Sequence, residues 1–263
     1  MPSTPVVVLD STLTNIADAI RGKNGSSDTY KPSEMPAAIT AIPSGGGEGI
    51  PREVRANGLY AMPSQSFTFS LPSDATDVAD YALSYAFNGC TSLSSVDFSS
   101  LATVSGGSAF VDAFQNCTSL TSIDLGSLTT VSGYNALSYA FYNCTKLTSV
   151  NLSSLATVSG NTALNYTFRG CTSLASVNLS SLATVSGAYA FYCAFHGCTN
   201  LTSLSFPALT ASSFGSLTDQ FDGMLTGVTG CTIHFPAAAQ AKIKTLTGYP
   251  KFGGTNTTVL FDL

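Results

Sequence analysis

The chain has 263 residues, of which 44% are hydrophobic and only 10% charged, and its net charge at pH 7 is −5. So few lysines and arginines argue against a nucleic-acid track or a patch for anionic lipid, both of which need clustered cations. No apolar stretch approaches the ~18 residues that span a bilayer, so no membrane insertion is expected.

The opening Met1 to Asp10 lacks a basic n-region, and its apolar run Val6 to Leu9 is too short for a signal core, so no secretory leader is expected. Leu13, Ile16, Ala17 and Ile20 then fall at helical spacing, with Ser11 or Thr12 as N-cap. Gly22 and Gly25 end that helix, and a second short one is expected from Ser33 to Ala41. Residues 1–43 thus read as a small helical unit that buries too little to stand alone. Such a unit is expected to anchor the chain, by docking on a partner or on copies of itself. Residues 44–50 form a Gly-rich linker and residues 51–72 an N-terminal cap. In that cap Phe67, Phe69 and Leu71 alternate with Thr68 and Ser70, the period of a strand.

From residue 73 to 206 the chain repeats itself. Cys90, Cys117, Cys144, Cys171 and Cys198 recur every 27 residues, as do Phe87 to Phe195 and Leu93 to Leu201. A fixed period of this size marks a solenoid, because one repeat cannot bury its own apolar face and stacked neighbours must cover it. In one copy, Leu147, Val150, Leu152, Leu155 and Val158 point inward, and Val150-Asn151-Leu152 is a short strand with Asn151 outward. Gly160 turns the chain. Ala163, Leu164, Thr167 and Phe168 follow at the spacing of one helical face, and Cys171 closes the coil. The fold predicted is an α/β solenoid of 27-residue repeats, capped at both ends. Residues 207–263 form the C-terminal repeat and cap: Ile233 and Phe235 echo Leu204 and Phe206 at a step of 29, Pro236 to Leu246 looks helical, and Thr257 to Phe261 is a closing strand.

The chain's seven cysteines are an odd number, and five share one column, so a ladder of free buried thiols is expected rather than disulfides. Cys193, His196 and Cys198 have no common zinc spacing, and no metal or other cofactor is expected. Neither His196 nor His234 stands beside a nucleophile motif, so no catalytic residues are assigned. Asp97 and Asp124 share an outward strand column that continues as Asn151 and Asn178; a weak calcium contact is weighed there against a solvated polar face.

The helical segment varies between copies while the inward positions hardly change. One column reads Tyr85, Asp112, Tyr139, Tyr166, Cys193; a second reads Ser84, Val111, Ser138, Asn165, Tyr192; a third reads Asn88, Gln115, Tyr142, Arg169, His196. Helical geometry turns all three outward. Unconstrained solvent positions drift in this way. A tyrosine-rich recognition surface has the same composition, because tyrosine gives large rigid contacts at low entropy cost. The candidate binding residues are Tyr85, Tyr139, Tyr142, Tyr166, Tyr192, Arg169 and His196.

The pattern Ala-Phe-x-x-Cys-Thr-x-Leu-x-Ser-Val-x-Leu-Ser-Ser-Leu resembles the BspA-like class of bacterial leucine-rich repeats over about residues 71–206. That resemblance implies a right-handed solenoid without catalytic residues, used in adhesion or host-surface binding. The segments Leu13 to Arg21 and Lys31 to Ile39 are similar to leader segments of tail-associated proteins in phages and prophages of Gram-positive bacteria. Together they imply a virion protein that binds a cell-surface glycan or protein through its solenoid and other tail subunits through residues 1–43. The alternative is a bacterial surface adhesin. An enzyme has no residues to support it.

Overall fold

The computed structural model describes residues 67–70, 76–214 and 216–263. The two expected N-terminal helices, the linker and most of the N-terminal cap lie outside the described residues. Within them the 27-residue step is the step from one coil to the next. Each coil contributes one rung to each of three ladders.

The first ladder is a parallel sheet of β1 (Phe67–Ser70), β2 (Leu93–Asp97), β4 (Ser122–Asp124), β6 (Ser149–Asn151) and β8 (Ser176–Asn178). Val96 lies beside Ile123, Ile123 beside Val150 and Val150 beside Val177, so one buried residue per rung points into the core. The second is a parallel sheet of the two-residue strands β3 (Thr103–Val104), β5 (Thr130–Val131), β7 (Thr157–Val158) and β9 (Thr184–Val185). Each strand buries its valine and turns its threonine outward. A one-residue slip would exchange the two faces, so the apolar column fixes the register.

The third ladder corrects the sequence reading. The segment expected to be helical, Ala163 to Phe168, is a run of overlapping turns. Ala163, Asn165 and Thr167 donate their N–H groups back to Gly160, Thr162 and Leu164, at 3.3, 3.1 and 3.3 Å. Leu164, Tyr166 and Phe168 donate theirs to Ala190, Tyr192 and Ala194 of the next coil, at 2.8, 2.9 and 2.9 Å. A helix would spend all these donors internally. The turn ladder spends half of them on the neighbouring coil, so the solenoid is tied together on this side too. Alternate turns require a positive φ at their third residue, which falls here on Thr162, Tyr166 and Gly170.

Between the ladders lies an apolar core. Phe87, Phe114, Phe141, Phe168 and Phe195 stack with centroids 5.1–5.7 Å apart and ring planes within 8° of parallel. The five column cysteines are free and buried as expected. In the last four of them Sγ donates to a phenylalanine carbonyl of the preceding coil at 3.1 Å, as from Cys144 to Phe114. Burial pushes the Cys90 and Cys171 thiols up to about 12. At Gly133, Gly160 and Gly187 the backbones of neighbouring coils approach equally closely: a Cβ at Gly160 would lie 2.1 Å from the carbonyl oxygen of Gly133.

Beyond residue 206 the coils continue with a longer step. β10 (Ser203–Ser205), β11 (Thr232–His234) and β12 (Thr258–Leu260) form a parallel sheet in which Leu204 sits beside Ile233 and Ile233 beside Val259. A 3-10 turn at Ala211–Phe214 lies in the longer connection. The helical segment expected after Pro236 is present as a 3-10 turn, Ala237–Ala239, that runs into the short helix α1 (Gln240–Ile243).

Candidate functional site

The strand face and the turn ladder both carry polar side chains, and they use them differently. On the strand face, the side-chain Oδ1 atoms of Asp97, Asp124, Asn151 and Asn178 accept from the N–H two residues ahead at 2.9–3.1 Å. Asn151 Nδ2 also donates to Asp124 Oδ1 at 2.9 Å. These side chains therefore hold the turns that leave β2, β4, β6 and β8, and the column is uniform there because each of those coils makes the same turn. The Oδ1 atoms of Asp97 and Asp124, weighed for a calcium contact, are already acceptors in it. Among the described residues no group of three or more His, Cys, Asp or Glu side chains converges on one point. The rungs leave a shallow depression of about 480 Å³ floored by Ser122, Ser149, Ser176, Asp124, Asn151 and Asn178.

On the turn ladder every fourth residue has a positive φ, which gives three such positions per coil. In the last of the three stand Gly89, Asn116, Asn143, Gly170 and Gly197, the residues that tolerate this conformation most easily. In the first stand Tyr81, Ser108, Asn135, Thr162 and Tyr189, and in the second Tyr85, Asp112, Tyr139, Tyr166 and Cys193. The same backbone problem is thus solved with glycine or asparagine in one column and carries five tyrosines in the other two. A bulky residue with positive φ is a genuine outlier.

Six of the seven candidate residues come together. The rings of Tyr139 and Tyr166 stack on adjacent coils with centroids 4.8 Å apart. Tyr142 lies edge-on to Tyr139 at 6.1 Å and Tyr192 edge-on to Tyr166 at 5.4 Å. The Arg169 guanidinium packs over both Tyr142 and Tyr166, 5.4 and 5.3 Å from their centroids, within cation–π range. His196 adjoins Tyr166 at 6.4 Å; burial, and then the Arg169 charge, push its pKa down. Burial raises the Tyr139 hydroxyl, and burial with side-chain hydrogen bonds to Cys193 and Tyr192 raises that of Tyr166. Tyr85 stands apart, because Asp112 occupies the rung between it and Tyr139. Burial raises the Asp112 carboxyl, and a hydrogen bond from Tyr85 partly offsets this.

Three positions read as outward are buried: Ser84 (2% exposed), Ser138 (3%) and Cys193 (6%). Turns, unlike a helix, bring part of that face under neighbouring side chains. Ser138 Oγ donates to the Asn165 carbonyl of the next coil at 3.2 Å. Cys193 Sγ lies only 2.9 Å from where a Cβ of Gly223 would be, so the following coil covers it. Tyr189, which the sequence places near these columns but outside the seven candidates, joins the cluster: it meets Tyr192 edge-on at 5.7 Å and is 42% exposed. The three-residue step from Tyr139 to Tyr142, repeated from Tyr189 to Tyr192, is the signal that could have found it.

Comparison with known proteins bears on the coils. Residues 111–207 match the BspA type leucine rich repeat region, in six copies. Among solved structures the chain resembles a leucine-rich repeat protein of T. pallidum, at 20% identity over 73% of this chain and 87% of that one, with a TM-score of 0.35. It also resembles one from Eubacterium ventriosum, at 22% identity over 56% of this chain and 42% of the other, with a TM-score of 0.29. No curated protein matches. The described coils are a leucine-rich-repeat solenoid with few helical segments.

Proposed function

We propose that this is a non-enzymatic recognition protein that binds a cell-surface glycan or protein through the turn-ladder face. One observation carries the reading: Tyr139 and Tyr166, the stacked pair of the cluster, stand where the backbone favours glycine. Holding a non-glycine residue in the left-handed region costs about 1 kcal/mol. The solenoid shows in its third positive-φ column how that cost is avoided, yet Tyr139 and Tyr166 keep their rings and place them in contact. Side chains kept at a cost to folding are those selected for something else. The test is attachment of the full chain to a panel of intact bacterial and epithelial cells. Replacing Tyr139 and Tyr166 together with Ala should weaken attachment by about tenfold or more, as anchor tyrosines do, while the chain stays folded. Unchanged attachment sinks the reading.

We further propose that the solenoid is carried on a virion, as a tail-associated protein docked through residues 1–43. The sequence of Leu13 to Arg21 and Lys31 to Ile39 supports this, and so does the Gly-rich linker that follows. Mass spectrometry of purified particles tests it; recovery of the chain only from washed bacterial cells would favour a surface adhesin.

A further inference from the structure

We infer that the ligand of the tyrosine face is an acidic glycan, whose carboxylate or phosphate pairs with Arg169 while its sugar rings rest among Tyr139, Tyr142 and Tyr166. This rests on the binding-face reading above and names the chemistry that the face selects.

Arg169 is the one arginine among the described residues. It stands at the centre of the cluster, half-buried, with rings of two coils against it. The one ion pair among the described residues is His234 with Asp262, far along the chain, so no carboxylate neutralises Arg169. A guanidinium stacked on rings uses its face for them and leaves its in-plane N–H donors, a fork that fits a carboxylate or a phosphate. No described side chain or carbonyl accepts from that fork. The acids in the binding columns, Asp112 on one side and Asp222 on the other, are each two coils from Arg169, about 10 Å along the solenoid. A structural cation–π contact alone would be served as well by a cation paired at its far side.

The rest of the face favours sugar over a peptide. Its polar groups are hydroxyls and amides rather than charges, and His196 is held towards its neutral form. The stacked rings of Tyr139 and Tyr166 repeat at 4.8 Å along the solenoid. With their faces turned to each other, the two rings present edges and hydroxyls to a sugar lying across the coils. The chain's net charge of −5 would repel an anionic polymer elsewhere, which confines binding to the patch around Arg169.

The experiment titrates the full chain with polygalacturonic acid, polysialic acid and a glucosylated glycerol-phosphate teichoic acid, with fully methyl-esterified polygalacturonic acid as the uncharged control. Tyrosine emission can report binding directly, since the chain has 11 Tyr and no Trp. At least one acidic polymer should bind tenfold or more tightly than the ester, and binding should weaken with salt. Arg169→Gln should abolish that preference and Arg169→Lys should keep part of it. Both variants are checked for an unchanged melting profile, and the lysine variant decides if the glutamine one unfolds. Equal binding of the ester, or a preference indifferent to both variants, overturns the acidic ligand. So does binding of no polymer at all. In each of these cases the face itself stands if Tyr139→Ala with Tyr166→Ala still removes cell attachment, and a protein partner then becomes the reading. The arms that use teichoic acid and the two carboxylate polymers separate phosphate from carboxylate. Attachment unaffected by the tyrosine pair overturns the face and its ligand together.

Discussion

The strand face and the turn ladder are built from the same coils at the same step, yet one is monotonous and the other varied. On the strand face each Asp or Asn accepts from a backbone N–H, so the side chain is part of the fold and four successive coils repeat it. On the turn ladder the backbone satisfies itself, half within the coil and half with the next, and asks little of the side chains. Variation therefore concentrates where the main chain is self-sufficient. Uniformity in a repeat marks structural duty, and the freedom to vary is where a binding surface can be written.

Three measurements can break or sharpen this contrast, in order of expected size. The largest concerns the core that both faces share. The thiols from Cys90 to Cys198 are raised by burial from an ordinary value of 9.0, so above that pH the unfolded chain loses thiol protons that the native chain keeps. Stability should be full below about pH 9 and fall as pH rises towards 12, by about 1 kcal/mol per thiol per pH unit. Urea melts at pH 8, 9.5 and 10.5 would show it, and equal midpoints would mean that the thiols are not sequestered. Next, Asn151→Ala removes the acceptor for Ser153 N–H and the donor to Asp124. It should cost about 1–2 kcal/mol and leave cell attachment intact, the converse of the tyrosine pair. If it instead abolishes attachment at unchanged stability, the binding side is the strand face. The smallest effect is the most specific. At Tyr139, with φ 55°, glycine should be more stable than alanine by about 1 kcal/mol. In a helix the order is the reverse, so thermal melts of Tyr139→Gly and Tyr139→Ala distinguish the two backbones.

The strands were legible in the sequence because their signal is local and redundant: Val96, Ile123, Val150 and Val177 alternate with polar neighbours in every copy. The turn ladder was misread for a definite reason. Two overlapping turns advance four residues, so the buried set Ala163, Leu164, Thr167 and Phe168 imitates a helical face. The distinguishing mark was also present. Asn135, Tyr139 and Asn143 recur at a step of four, and asparagine or glycine at that step signals left-handed backbone rather than helix. The clustering of Tyr139, Tyr142, Tyr166 and Tyr192 needed only the column arithmetic. The burial of Cys193 depends on Gly223, a contact made across the longer C-terminal step that the 27-residue period does not contain.

The register between neighbouring coils has one further consequence. Residue by residue, the contact that β4 makes with β6 is the contact that β6 makes with β8. The top of any internal coil therefore fits the bottom of any other, and a whole unit of 27 residues can be duplicated or lost without a new interface having to be invented. Length becomes a heritable dial, with each click moving the far end by about 4.8 Å. A lineage under pressure to follow a changing target could lengthen, shorten or shuffle its rungs as intact cassettes, leaving the scaffold's folding problem already solved.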